Sequence, residues 1–198
     1  MFAIVLGIAC FAGMYLGMYR NSAIFHGLYW LTKAQAIGQT PVSVPGFTAS
    51  DAQIQSVHER CEDFEQKARA GQPAELELTA DDINTLIATN QDVRGKIFVS
   101  IDGDRLRCQA SVPLGDLFGR SGYYFNGDIA GELKSAESLE NLQLSGITVN
   151  GRIVPTDLLN WKYRSKRLRD YLAEYRSSSG VGTIEIQDGK LILRSRSE

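Results

Sequence analysis

The spacing of apolar and polar residues changes repeatedly along this chain, and each change marks a predicted element. Residues 1–19 carry no charged side chain; the first is Arg20. Further on, Ile54, Val57, Cys61, Phe64 and Ala68 recur three and four apart, the stripe of an amphipathic helix. Ser50 and Gln53 open that stretch as a capping box, and Gly71 and Pro73 close it, so a helix is predicted over 50–70. A second helix is predicted over 79–90. Thr79 is its N-cap, Asp82 stands three residues on as a shorter capping-box acid, and Leu78 and Ile83 are spaced as a hydrophobic staple. Ile83, Leu86 and Ile87 give this helix one apolar face, and Asn90 is its stop.

The pattern then turns to period two. Ile97, Val99 and Ile101 alternate with other residues, as do Leu106, Cys108, Ala110 and Val112, with the turn Asp102-Gly103-Asp104 between them. Pairing Ile101 with Leu106 sets Val99 opposite Cys108 and Ile97 opposite Ala110, which gathers one apolar face. Residues 123–134 read as a long strand in which Gly127 and Gly131 suggest a bulge or bend. Residues 142–149 continue the sheet, and Asn150-Gly151 is a hairpin signal leading into Arg152, Ile153 and Val154. Pro155, Thr156 and Asp157 start a helix predicted over 156–176, with Leu158, Trp161, Leu168, Leu172 and Tyr175 inward and Ser165 as the polar interruption. Near the C-terminus, an Asp188-Gly189 turn pairs Ile186 with Leu191 and Ile184 with Leu193. The fold class expected is α+β: an N-terminal transmembrane helix, then one domain with a mostly antiparallel β-meander packed by about three helices.

The uncharged stretch at the start is about the length that spans a bilayer core. A cleavable signal peptide is the rival reading, but a basic leading flank and a clean small-x-small cleavage site are both missing. The expected partition is a transmembrane anchor over 1–20, a juxtamembrane segment and linker over 21–48, and an α+β domain over 49–198. Phe25, Tyr29 and Trp30 suit a headgroup-level aromatic belt, and Pro41, Pro45 and Gly46 mark a short extended linker. Arg20 and Lys33 follow the apolar run and nothing basic precedes it, an asymmetry that favours a cytoplasmic domain.

Composition narrows the function more than it defines it. Apolar residues make up 43% and charged residues 22%, ordinary values for a folded chain. Two of the 21 basic residues and none of the 23 acidic ones lie before residue 49, which leaves residues 49–198 at a net charge of −4. That balance gives no overall pull toward nucleic acid. Cys61 and Cys108 both fall on predicted buried faces, as free thiols or as a disulfide pair, alternatives that spacing leaves open. His58 beside Cys61 brings a nucleophilic dyad to mind, but the helical stripe turns Cys61 inward and no oxyanion donors accompany it. The acidic pair Asp81 and Asp82 is explained by capping, and Asp102 and Asp104 lack the other ligands of a calcium loop. No phosphate-binding glycine loop, H-E-x-x-H, G-x-S-x-G or paired CxxC occurs. No catalytic, cofactor-binding or metal-ligating residue is therefore assigned, no cofactor is expected, and the chain is expected not to be an enzyme.

The box L-T-x-x-D-I-N-x-L-I at residues 78–87 is followed by R-G-K-I-x-V-S-I-x-G-D-x-L and then S-V-P-L. Downstream come Gly122, Tyr124, Asn126 and Gly127, the V-N-G hairpin and a terminal I-x-D-G-K-L-I-L. As a set, over residues 50–196, these resemble a family of uncharacterised bacterial single-pass membrane-anchored proteins, and more remotely the YpmS-like and tubular lipid-binding domains. The resemblance implies an extracytoplasmic α+β domain and carries no catalytic residues with it. The functional expectation is a membrane-anchored, non-catalytic domain binding lipid or another apolar ligand. The alternative is a structural or protein-partner-binding domain of a membrane-associated assembly, without a ligand cavity. Lys162, Lys166 and Arg169, about one turn apart on the predicted 156–176 helix, are its candidates for contact with an anionic membrane surface.

Overall fold

The computed structural model describes residues 30–114, 122–132, 147–155, 162–163, 166–167 and 180–196. Helix α1 spans Asp51–Arg69 and helix α2 spans Ala80–Thr89, each begun by the cap that the sequence signals. At α1 the Gln53 backbone N–H donates to Ser50 Oγ at 3.3 Å and the Ser50 N–H donates back to Gln53 Oε1 at 2.9 Å. At α2 the Asp82 N–H donates to Thr79 Oγ1 at 3.1 Å and the Thr79 N–H to Asp82 Oδ2 at 2.9 Å. Two otherwise orphaned donors are satisfied at each helix start. The apolar stripe of α1 is buried at Val57, Cys61, Phe64 and Ala68.

The larger sheet has six strands: β1 (Ile37–Gly38), β3 (Ile97–Asp102), β4 (Arg105–Pro113), β5 (Tyr124–Glu132), β6 (Thr148–Val149) and β7 (Arg152–Ile153). Its order is β3-β4-β5-β6-β7, with β1 also paired to β5, and every pairing is antiparallel. The β3–β4 register places Ile101 opposite Leu106, Val99 opposite Cys108 and Ile97 opposite Ala110, as the period-two pattern requires. A smaller sheet runs in the order β10-β11-β2, from Val181–Gln187, Lys190–Ser195 and Glu75–Thr79. Its C-terminal hairpin pairs Ile186 with Leu191 and Ile184 with Leu193. Helix α2 packs on β3, β2 and α1, so one apolar core runs from Leu76, Leu78, Leu191 and Leu193 through Ile83 and Ile87 to Val99 and Cys108. The α+β class and the antiparallel meander are as expected.

Several expectations are corrected. The first concerns the predicted 156–176 helix. Lys162–Tyr163 (β8) and Lys166–Arg167 (β9) instead pair as antiparallel strands, Lys162 opposite Arg167 and Tyr163 opposite Lys166. Residues 162–167 offer one apolar side chain in six. Helices in proteins are held chiefly by packing an apolar face, and this stretch has none to bury. The rest of residues 156–176 lies outside the described residues, among which a third helical segment occurs at residues 30–33, where Trp30 and Leu31 pack against the core.

The second correction concerns β5, which carries no bulge. It pairs with β4 without a register shift from Glu132 opposite Arg105 to Tyr124 opposite Pro113. Gly127 is needed for a different reason, since a Cβ there would collide with Cζ of Phe125, two residues back on the same face.

The third correction concerns the single-pass membrane chain, and with it the membrane localisation, the membrane partner and the anchored lipid-binding role, none of which the described residues support. Among the described residues no helix is long and apolar enough to cross a membrane. Residues 1–20, on which the anchor was placed, lie outside the described residues.

Candidate functional site

The outer edge of β5 gathers a dense set of hydrogen bonds from distant parts of the chain. On its inner side β5 is paired with β4 throughout, whereas on its outer side two short pieces of chain share it. β1 covers the start, with Gly38 opposite Tyr124 and Ile37 opposite Phe125. β6 covers the other end, with Val149 opposite Ile129 and Thr148 opposite Ala130.

The gap between them is filled by a side chain. Asn150 sits at φ +50° in the Asn-Gly turn, a left-handed conformation that asparagine tolerates. From there its Oδ1 accepts from the Asp128 N–H at 2.8 Å, and its Nδ2 donates to Asn126 O at 3.2 Å and to Ala34 O at 2.9 Å. The Asn150 backbone N–H donates to Asp128 O at 2.8 Å. One asparagine thus acts as the missing rung of the ladder and also grips the incoming chain.

Residues 34–42 form a strap laid along this edge. The helical residues 30–33 end in a Schellman arrangement. The Ala36 N–H donates to Leu31 O at 2.9 Å and the Gln35 N–H to Thr32 O at 3.0 Å, with Gln35 at φ +54°. That cap turns the chain into β1. The Asn126 N–H then donates to Ala36 O at 2.8 Å, and Asn126 Nδ2 donates to Thr40 O at 2.9 Å. The Val42 N–H donates to Ser111 Oγ at 3.1 Å and Asn126 Oδ1 at 3.3 Å, and Ser111 Oγ donates to Asn126 Oδ1 at 2.9 Å. Gln39 Nε2 reaches the Tyr123 hydroxyl at 3.1 Å. Ser111 and Asn126 are direct cross-strand partners, which is why their side chains meet.

Small side chains let the strap lie this close. Ala34 and Ala36 are 2% and 0% exposed. Gly38 has no room for more than its hydrogen, because a Cβ would stand 2.9 Å from Asn126 Nδ2. The edge therefore reads backbone carbonyls and amides, and accepts only small residues at positions 34, 36 and 38.

The other residues singled out by sequence are spent elsewhere. Arg60 Nη1 donates to Glu77 O at 2.8 Å, and its other nitrogen pairs with Asp82. Burial pushes the Asp82 carboxyl up, but the Thr79 N–H and hydroxyl and the Arg60 guanidinium outweigh it and hold the group below the usual carboxylate range. Asp81, Asp102 and Asp104 are exposed, and no group of three or more metal-ligating side chains exists among the described residues. Cys61 is buried on α1 beside half-buried His58. Cys61 and Cys108 are not joined to each other. Burial, with the Asp128 carboxylate adding to it, pushes the Cys108 thiol up to about 12. Arg107 pairs with that same Asp128. Lys162 and Lys166 stand on the β8–β9 hairpin at different register positions rather than on one helical ridge, and Arg169 lies outside the described residues.

Ser111, Asn126, Asn150 and the buried Asn84 carry the polar architecture and were not identified as site residues from sequence. Asn126-Gly127 and Asn150-Gly151 read as bend and turn signals, which describes their backbones but not the amides. Comparison with family models, curated proteins and solved structures finds no match for this chain.

Proposed function

We propose that this chain is a non-catalytic protein-binding domain whose working surface is the outer edge of β5. One observation carries the reading: along residues 34–42, Ala34, Ala36, Thr40 and Val42 each engage an edge amide, Ser111, Asn126 or Asn150 through their backbone. Recognition of an extended segment by strand addition works this way, with main-chain bonds giving affinity and shallow pockets giving sequence preference. Here the preference is for small residues at alternate positions. The non-catalytic part is supported by how the ionisable groups are used: Asp82 is tied to a helix cap and an arginine, and the Cys108 thiol is protonated at neutral pH.

The test is to expel the strap and offer it back. In Ala36→Glu a carboxylate would have to enter a fully buried position, so the strap should leave the edge. Hydrogen exchange should then accelerate at residues 34–42. A synthetic peptide of residues 30–42 should bind the variant, while the same peptide carrying the Ala36→Glu change, or offered to the unsubstituted chain, should not. A released strap combined with no peptide binding would remove the reading.

A further inference from the structure

The strap is joined to the body by residues 43–49, a connection with no regular element, made of Ser43, Val44, Pro45, Gly46, Phe47, Thr48 and Ala49. None of the backbone–backbone hydrogen bonds among the described residues that lie outside helices and strands involves these seven. Helix α1 begins immediately after them, but the groups that grip the strap belong to β4, β5, the residue before β5 and the Asn150 turn. The edge that binds the strap is therefore remote in sequence from the strap's own attachment. Seven residues span at most about 25 Å when extended, and Pro45 stiffens the path.

Resting on the reading of the β5 edge as a site for an extended segment, we propose that its partner is a second copy of this chain. Residues 30–42 of each copy would lie on the β5 edge of the other, in a reciprocal, two-fold exchange. Each contact described for the strap would form between copies with the same atoms and distances as within one, so exchange sacrifices none of those contacts and, among the described residues, changes only the course of residues 43–49. Such swapping of an identical element is a low-cost route to a dimer, governed by the hinge. This partner also satisfies the strictest requirement of the edge, because its own sequence places Ala34, Ala36 and Gly38 where only small residues fit. Trp30 and Leu31 pack against the core and would travel with the strap as its apolar anchor.

The experiment uses full-length chain. Two preparations with different tags are incubated together at a series of concentrations and examined for mixed dimers. Position is read by Ile37→Cys with Phe125→Cys, direct cross-strand partners at positions that already carry side chains, whose introduced thiols crosslink within a copy or between copies according to where the strap lies. Mixed dimers that rise with concentration and carry the crosslink between copies are expected. Deleting Val44, Pro45 and Gly46 should shift the chain from monomer to dimer, and a flexible insertion at the same place should shift it back. Monomer at every concentration, or dimers whose crosslink stays within each copy, would overturn the exchange. If the peptide of residues 30–42 still binds Ala36→Glu in that case, the edge remains a binding site and only the identity of its partner is wrong. If the peptide fails to bind, the reading of the edge falls first.

Discussion

Asn84 offers the sharpest test of what joins the two halves of the fold. It sits on the inner face of α2, 1% exposed, where its neighbours Ile83, Leu86 and Ile87 are apolar. Its Nδ2 donates to Val99 O at 2.7 Å and its Oδ1 accepts from the Val99 N–H at 2.8 Å. β3 is an end strand of the larger sheet, so on its outer side the Val99 groups meet a side-chain amide in place of another strand. Asn84→Ala leaves both groups buried without their partner. Each unsatisfied group costs about 1–3 kcal/mol, which puts the destabilisation at about 2–6 kcal/mol, against under about 1 kcal/mol for an ordinary surface change. Asn84→Asp separates the cause further. Its carboxylate can still accept from the Val99 N–H but faces Val99 O across the other contact, so only the protonated acid restores both bonds. Its folded-state pKa must therefore lie above the unfolded value of about 4, with the regained stability fully present below that pH and lost as pH rises through the folded pKa. Urea unfolding of both variants between pH 3.5 and 7 measures this. Asn84→Ala within 0.5 kcal/mol of the parent, or Asn84→Asp insensitive to pH relative to it, would refute the bridging role, about 0.5 kcal/mol being the scatter of neutral substitutions.

Three further outcomes are expected. Cys108, with its thiol raised from 9.0 to about 12, should make stability fall above pH 9, where the unfolded thiol ionises and the folded one does not. The slope approaches about 1.4 kcal/mol per pH unit, and Cys108→Ala should flatten it between pH 9 and 10 in urea titrations. Asp82, held low in the folded state, contributes stability that is present above pH 4 or so and lost as pH falls through its folded value; Thr79→Ala should cost about 1 kcal/mol at pH 7 and weaken the acid-side loss. Gly127→Ala should destabilise by about 1–3 kcal/mol by overpacking the Phe125 ring, and much of that cost should vanish in a Phe125→Ala background when the four chains are compared by thermal unfolding.

Much of the fold was legible because local rules and packing agree. The two capping boxes fix where α1 and α2 begin, and the period-two runs fix the β3–β4 and β10–β11 registers to the residue, since a one-residue slip would turn every apolar side chain to the wrong face. The predicted 156–176 helix is contradicted on the same ground at the four of its residues that are described. Leu158, Trp161 and Leu168 suggested a stripe, but the six residues between Trp161 and Leu168 are nearly all polar, and at Lys162–Tyr163 and Lys166–Arg167 the chain pairs as a hairpin. The candidate site was harder to see for a different reason. Asn126 and Asn150 each precede glycine, and that dipeptide signals backbone conformation so strongly that the amide passes unremarked. Nothing local to residues 34–42 indicates that Ser111 and Asn126, at least 69 positions away, will bind them.

Among the described residues, asparagine is the common device at two places where the sheet meets something other than a neighbouring strand. An amide carries an acceptor and a donor side by side, the same pair that a peptide unit offers, so it can substitute for one rung of a ladder. Asn84 does this for Val99 from a helix, and Asn150 does it at the Asp128 N–H and Asn126 O from a turn. The two sites differ in what the substitution leaves available. Asn84 is enclosed, and both its amide nitrogen and its amide oxygen bond Val99, so it fixes α2 in place. Asn150 also reaches Ala34 O, and Asn126 divides its amide between Thr40 O and the Val42 N–H, bonds made to a segment that continues into the rest of the described fold through residues 43–49. The first arrangement can be broken only by unfolding that part of the molecule. The second can be broken by lifting the strap, and another extended chain with small residues in register can restore it. That difference, one amide locking the body and two holding a replaceable segment, is why the β5 edge rather than the α2–β3 junction is the surface proposed to meet a partner.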